Sequence, residues 1–189
     1  MLGILFYASI AILHPAAAAA SDMPSPERRQ ELLFEAARLG RTEMIRPLLE
    51  AGADIDRYDA RGFTPLILAA YNGHADSVEI LIAQGADACK PDGTQGNTAQ
   101  MGVAFKGYDD IAARLLKTAC DVNARNKAGQ TAIMMAALFG RTAQVDMLLE
   151  GGADPAIVDN AGRTARSVAA GQGAENVVRQ LDQGNETGS

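Results

Sequence analysis

The chain lacks tryptophan altogether, and its 189 residues include two histidines, two cysteines, four tyrosines and five phenylalanines. Each shortage excludes something. Of the histidines, His14 lies in an apolar N-terminal stretch, which leaves His74 without a second nitrogen ligand or relay partner. A zinc site drawing on Cys and His needs three or four such groups at matched spacing, and Cys89 with Cys120 supplies two. No metal site and no cofactor site is therefore expected. Basic residues are also outnumbered, 17 against 23 acidic, for a formal net charge of −6 and a pI near 4.9. An acidic chain gains nothing from counterion release, so no nucleic-acid partner is expected. Long apolar runs are absent after residue 13. With 48% hydrophobic residues but only 5% aromatics, the core must be built from Ala, Leu, Ile, Val and Met, which suits closely packed helices.

What is present begins with the N-terminus. "MLGILFYASIAIL" is an unbroken apolar run, followed by His14, Pro15 and the small residues Ala16 to Ala20. That order matches an export signal cut after Ala20. It is short for a membrane span, which needs about 20 apolar residues. No Lys or Arg precedes the run, so the amino terminus alone supplies positive charge. The expectation is a cleaved signal over residues 1–20 and an exported, periplasmic protein. If the segment were retained, it would anchor the chain to the membrane.

The rest of the chain repeats. Gly52-Ala53-Asp54, Gly85-Ala86-Asp87, the degenerate Ala119-Cys120-Asp121 and Gly152-Ala153-Asp154 recur at steps of 33, 34 and 33 residues. Gly62, Gly96, Gly129 and Gly162 hold the same phase, each followed two residues later by Thr64, Thr98, Thr131 or Thr164. A third series is Gly40, Gly73, Gly107, Gly140 and Gly173. Such periods mark stacked supersecondary units.

One unit reads in physical terms as helix, turn, helix, extended turn. The threonine hydroxyl can cap the free N–H groups of a helix start, and Pro65 suits the first helical position. "PLILAAYN" makes about two turns and stops at Gly73, which can take the left-handed conformation that closes a helix. Val78, Leu81 and Ile82 then place one apolar stripe on a second helix, with Asp76 at its positive end. No unit can bury that stripe alone, but stacked neighbours share a continuous core.

"GFTPLILAA", "GNTAQMGVA", "GQTAIMMAA" and "GRTARSVAA", each followed by a Gly-led second helix and the first three also by the Gly-Ala-Asp turn or its degenerate form, resemble the ankyrin repeat. The resemblance spans residues 27–182 in units of about 27–58, 59–91, 92–125, 126–158 and 159–182. It implies an all-α solenoid of helix-turn-helix units joined by extended turns or short hairpins. Residues 21–26 would be a linker, and 183–189 an unordered tail. Two departures stand out. The family's Thr-Pro-Leu-His motif here has Ile67, Met101, Met134 or Ser167 in place of histidine, which exchanges a hydrogen-bond network for packing. The third unit carries one extra residue near "PDGTQGN", which lengthens its turn. At the ends, Ser25 and Pro26 can start a first capping helix, and the last unit is polar.

No catalytic apparatus emerges. His74 beside Asp76 reads as a helix start, Asp54, Asp87, Asp121 and Asp154 recur as turn residues, and no nucleophile-elbow motif is present. "DGTQGN" lacks the bidentate Glu of a calcium loop. Cys89 lies two residues past Asp87, and Cys120 sits inside the next turn. A disulfide needs Cα atoms within about 7 Å, whereas packed helices lie about 10 Å apart. Both a disulfide and two separate thiols stay open, and the layer spacing favours the thiols.

Function must then lie on the surface. The resemblance implies a non-catalytic module that binds another protein through turn tips and the concave side. The positions before each helix-ending glycine are Arg38, Tyr71, Phe105, Leu138 and Gly171, then Leu39, Asn72, Lys106, Phe139 and Gln172. Five of the seven aromatics after the N-terminal segment fall on positions expected to be exposed. The candidate partner-binding set is Tyr58, Arg61, Phe63, Tyr71, Asn72, Phe105, Lys106, Lys127, Leu138 and Phe139. Aromatics flanked by Arg and Lys have the composition of binding hot spots. A monomer is expected, with no membrane contact once the signal is removed. The alternative is an accessory factor that stabilises an exported, stress-related enzyme, redox-sensitive through Cys89 and Cys120.

Overall fold

A computed structural model describes residues 24–186. The segment 1–20 read as an export signal lies outside the described residues, as do 21–23 of the expected linker and 187–189 of the expected tail. The described residues form ten helices and no strand, taken in pairs. The pairs are α1 (Pro26–Leu39) with α2 (Thr42–Glu50), α3 (Pro65–Tyr71) with α4 (Ala75–Ala83), and α5 (Ala99–Lys106) with α6 (Asp109–Leu115). α7 (Ala132–Leu138) with α8 (Thr142–Glu150) and α9 (Ala165–Gly171) with α10 (Glu175–Glu186) complete the set. The first helix of each pair packs on the first helices of its neighbours, and the second on the second, so the chain is a two-layer stack.

The local starts follow from the sequence. Ser25 accepts the Arg28 amide at 3.2 Å, with Pro26 opening α1. Thr64 accepts Ile67 N at 3.2 Å, Thr98 accepts Met101 N at 3.3 Å, and Thr164 forms a capping box with Ser167. Thr131 departs from the series, for its hydroxyl is buried and caps nothing. The glycines that end the first helices serve two purposes. Gly40 and Gly73 have φ of 70° and 80°, and a Cβ on them would lie 2.6 Å from His74 Nδ1 and 2.9 Å from Tyr108 Cζ. In the second, third and fourth units the residue that starts the second helix, His74, Tyr108 or Arg141, thus folds over the glycine of the preceding unit.

The core is aliphatic and falls into two clusters that meet in the third unit. Leu33, Ile45, Leu66, Leu81, Ile111, Ile133, Leu148 and Leu181 are each at most 1% exposed. Ile67, Met101 and Met134, which stand where the family has histidine, are buried as apolar packing. The long turns are zipped at their tips. Each tip closes one backbone bond, such as Asp59 N to Phe63 O at 2.8 Å and Asn126 N to Gln130 O at 2.9 Å. Neighbouring tips then join sideways through Gly93 N to Gly62 O, Lys127 N to Gln95 O, and Asn160 N to Ala128 O.

The third unit is the irregular one. Ala119 replaces the glycine that elsewhere turns the chain, and α6 stops at Leu115 after 7 residues where α4 and α8 have 9. Its inserted residue is absorbed by the 92–97 turn, in which buried Asp92 accepts amides from Thr94, Gln95, Gly96 and Asn97.

The layer spacing favours separate thiols, but Cys89 and Cys120 form a disulfide with Cα atoms 5.2 Å apart. Helix spacing was the wrong measure, because the turns are offset along the stack. Residues at the Cys89 register in the first and third units also reach the next unit: Asp56 Oδ1 accepts Asp87 N at 3.0 Å, and Asn123 Oδ1 accepts Asp154 N at 2.8 Å. The disulfide occupies that same bridge between the second and third units. Of the tail expected over 183–189, residues 183–186 are helical, for α10 continues through Glu186. Arg166 grips Asp182 with two hydrogen bonds of 2.6 and 3.1 Å, which ties the end of α10 to α9.

Candidate functional site

The C-terminal ends of α3, α5 and α7 lie side by side in the first-helix layer. Each ends its core-facing stripe one residue before, or at, the closing turn, so its last large side chain emerges from the layer. Tyr71, Phe105 and Phe139 are 42%, 38% and 40% exposed. They form a ladder: Tyr71 stacks on Phe105 with centroids 6.0 Å apart, and Phe139 meets Phe105 edge-on at 4.6 Å. Each such pair contributes about 0.5–1.5 kcal/mol beyond burial, which holds the rings in one surface. The ladder steps by one register position between Phe105 and Phe139. Leu138, the true counterpart of Tyr71 and Phe105, is half-buried instead.

Cations hold both sides of this surface. Lys106 Nζ lies 4.6 Å from the Tyr71 centroid and 6.0 Å from that of Phe105. Arg61 lies 5.3 Å from the Phe63 centroid, paired at 3.3 Å with Asp59. Asn72 is exposed and closes α3 by donating to Leu68 O at 2.7 Å. Tyr71, Phe105, Phe139, Lys106, Arg61, Phe63 and Asn72 are thus brought to one face. Tyr58 and Lys127 stand at separate turn tips. The Tyr58 hydroxyl donates to Pro91 O at 2.8 Å, Lys90 Nζ covers its ring at 4.6 Å, and Lys127 Nζ bonds Thr94 O.

Sequence reading left Lys90 and Arg141 out of the set. Arg141 reaches back to donate to Phe105 O at 3.3 Å. Its signal was available, since it occupies the position of His74, whose ring bonds Arg38 O at 2.9 Å. His74 therefore links the first two units and belongs to the frame. Among the described residues no group of three or more His, Cys, Asp or Glu could hold a metal ion, and no helix is long and apolar enough to cross a membrane.

A stack of helix pairs with an exposed aromatic ladder is a repeat scaffold whose chemistry is carried by its surface side chains. Residues 10–92 and 100–187 match the family model for ankyrin repeats, built from three copies, and the chain belongs to the ankyrin-repeat family. The gap between the two matched segments falls at the lengthened turn of the third unit. Several relatives carry the same repeats. The ankyrin repeat and KH domain-containing protein mask-1 of Caenorhabditis elegans is 34% identical over 154 residues, 81% of this chain and 6% of that protein. The ankyrin repeat and SAM domain-containing protein 6 of Mus musculus is 32% identical over 114 residues, 60% of this chain and 13% of that protein. A putative ankyrin repeat-containing protein of Treponema pallidum (strain Nichols) is 31% identical over 130 residues, 69% of this chain and 44% of that protein. The chain thus spans less than half the length of each. Ankyrin repeats are protein-protein interaction modules, and that coarse role applies to this chain.

Proposed function

We propose that this chain is an exported, non-catalytic scaffold that holds one partner protein on its first-helix face. The observation that carries the proposal is the ladder itself. Three large rings, with Phe105 meeting both Tyr71 and Phe139 and each ring more than a third exposed, make a contiguous apolar patch of the kind that marks interaction sites. First helices pack on one another more extensively than second helices do, which supports a stack curved toward the ladder. Export is supported by the apolar run ending in small residues and by the disulfide, which persists in oxidising compartments. Tyr71→Ala combined with Phe105→Ala should abolish partner capture from the exported fraction while circular dichroism stays unchanged. Capture that survives both substitutions removes the ladder from the binding site. The same disulfide supports the second reading, a redox-sensitive accessory of an exported enzyme. Under that reading the oxidised and reduced chains should protect the enzyme unequally.

A further inference from the structure

The ladder face is positive on a negative molecule. Across the middle three units the first helices α3, α5 and α7 carry one charged residue, Lys106, and no carboxylate. Their partners α4, α6 and α8 carry Asp76, Glu79, Asp109, Asp110, Asp146 and Glu150 against the single cation Arg114. In these units the helical carboxylates therefore lie on the second helices, away from the ladder.

A cavity of about 120 Å³ adjoins the first ring of the ladder, lined by Arg38, Arg61, Phe63, Ile67, Leu68 and Tyr71. Small-molecule sites run from about 300 Å³, so this cavity has room for one side chain. Arg38 is exposed and makes no ion pair among the described residues. The Arg61 side chain keeps 57% exposure beside Asp59, whose carboxylate also accepts the amides of Arg61 and Phe63. Two guanidiniums over an apolar floor form a fork for a carboxylate, which arginine binds in bidentate fashion. Lys106 stands on the other side of Tyr71.

We infer that this face takes an extended acidic segment of another protein, with a Glu or Asp side chain held by Arg38 and Arg61 and neighbouring apolar side chains laid over Tyr71 and Phe105. Alternate side chains of an extended chain are about 6.6 Å apart, close to the 6.0 Å step between those rings. This inference rests on the ladder being the binding face, and it adds the charge and shape of the occupant.

The test uses the full oxidised chain and three labelled peptides, read by fluorescence polarisation. One alternates Glu with Leu and Phe and is amidated. The second has Lys for each Glu. The third has only Leu, Phe and polar neutral residues, with a free C-terminal carboxylate. The Glu peptide should bind, weaken steeply as salt rises, and lose about tenfold or more in affinity with Arg38→Glu or Lys106→Glu. The Lys peptide should not bind, and the chain-end peptide should bind far more weakly. Absence of Glu-peptide binding overturns the inference. So does equal binding of the Lys or chain-end peptide, or tighter binding of a single-stranded oligonucleotide. Loss with Tyr71→Ala and Phe105→Ala but not with Arg38→Glu overturns the carboxylate site alone. Retention in both sets removes the ladder reading as well.

Discussion

At Gln100 a polar residue stands where the repeat wants an apolar one. Leu66 and Ile133 hold the same position in the neighbouring units and are 1% and 0% exposed. Gln100 has no hydrogen-bond partner for either amide atom among the described residues, and it lines a cavity of about 430 Å³ beside Leu115, Gly151 and the disulfide. A buried amide without partners costs about 1–3 kcal/mol. Gln100→Leu should therefore raise stability by about 1–2 kcal/mol, seen as a higher urea midpoint at unchanged slope. A lower midpoint would show that the amide contributes to the fold. Asp92 is the opposite case. Burial pushes its carboxyl upward, but hydrogen bonds from the Thr94 hydroxyl and the amides of Thr94, Gln95 and Asn97 outweigh this and hold it below its ordinary 3.8. The folded value lies below the unfolded one, so the stabilisation is present above about pH 4 and is lost as acid takes the pH through the folded value. Asp92→Asn should cost about 1–2 kcal/mol at neutral pH and flatten the acid limb of the stability curve. An unchanged acid limb would place the titrating group elsewhere.

At the scale of elements, the third unit depends on its disulfide. α6 is short, the turn after it lacks a glycine, and the buried apolar residues separate here into one cluster ending at Leu115 and another starting at Met101. The bridge joins residues 31 apart in sequence. Closing a loop of that length restricts the unfolded chain by about 3–4 kcal/mol. Reduction, or the pair Cys89→Ser and Cys120→Ser, should lower stability by that order. Amide exchange should quicken first in α6 and the turn after it, since stacked repeats can open locally. Uniform loss of protection along the whole chain would contradict a local staple.

At the scale of the whole molecule, charge and shape act together. In the middle three units carboxylates collect on the second helices, and the ladder with its cations occupies the first-helix layer. Long-range attraction of an acidic partner thus has to overcome the net charge, while short-range attraction favours the ladder. Association should accordingly be governed by local groups within about 8–10 Å, the screening length near physiological salt.

Much of this was legible in the chain itself. Helix pairs, the boundaries at Gly40 and Gly73, the caps at Ser25, Thr64, Thr98 and Thr164, and the five-unit order follow from residue spacing, because the forces that set them act within a few residues. The outward position of Tyr71, Phe105 and Phe139 followed from the same register. Thr131 failed as a cap for a different reason: its hydroxyl oxygen has to meet an amide donor in the right geometry, and spacing does not encode that. Only the tertiary structure decided what depends on the offset between neighbouring units. It brought Cys89 to Cys120, carried Arg141 under Phe105, set Lys106 over Tyr71 and opened the Arg38–Arg61 cavity. Each of these joins residues more than 20 positions apart or on different helices, whose separation is fixed by how the layers slide past one another when their cores interlock.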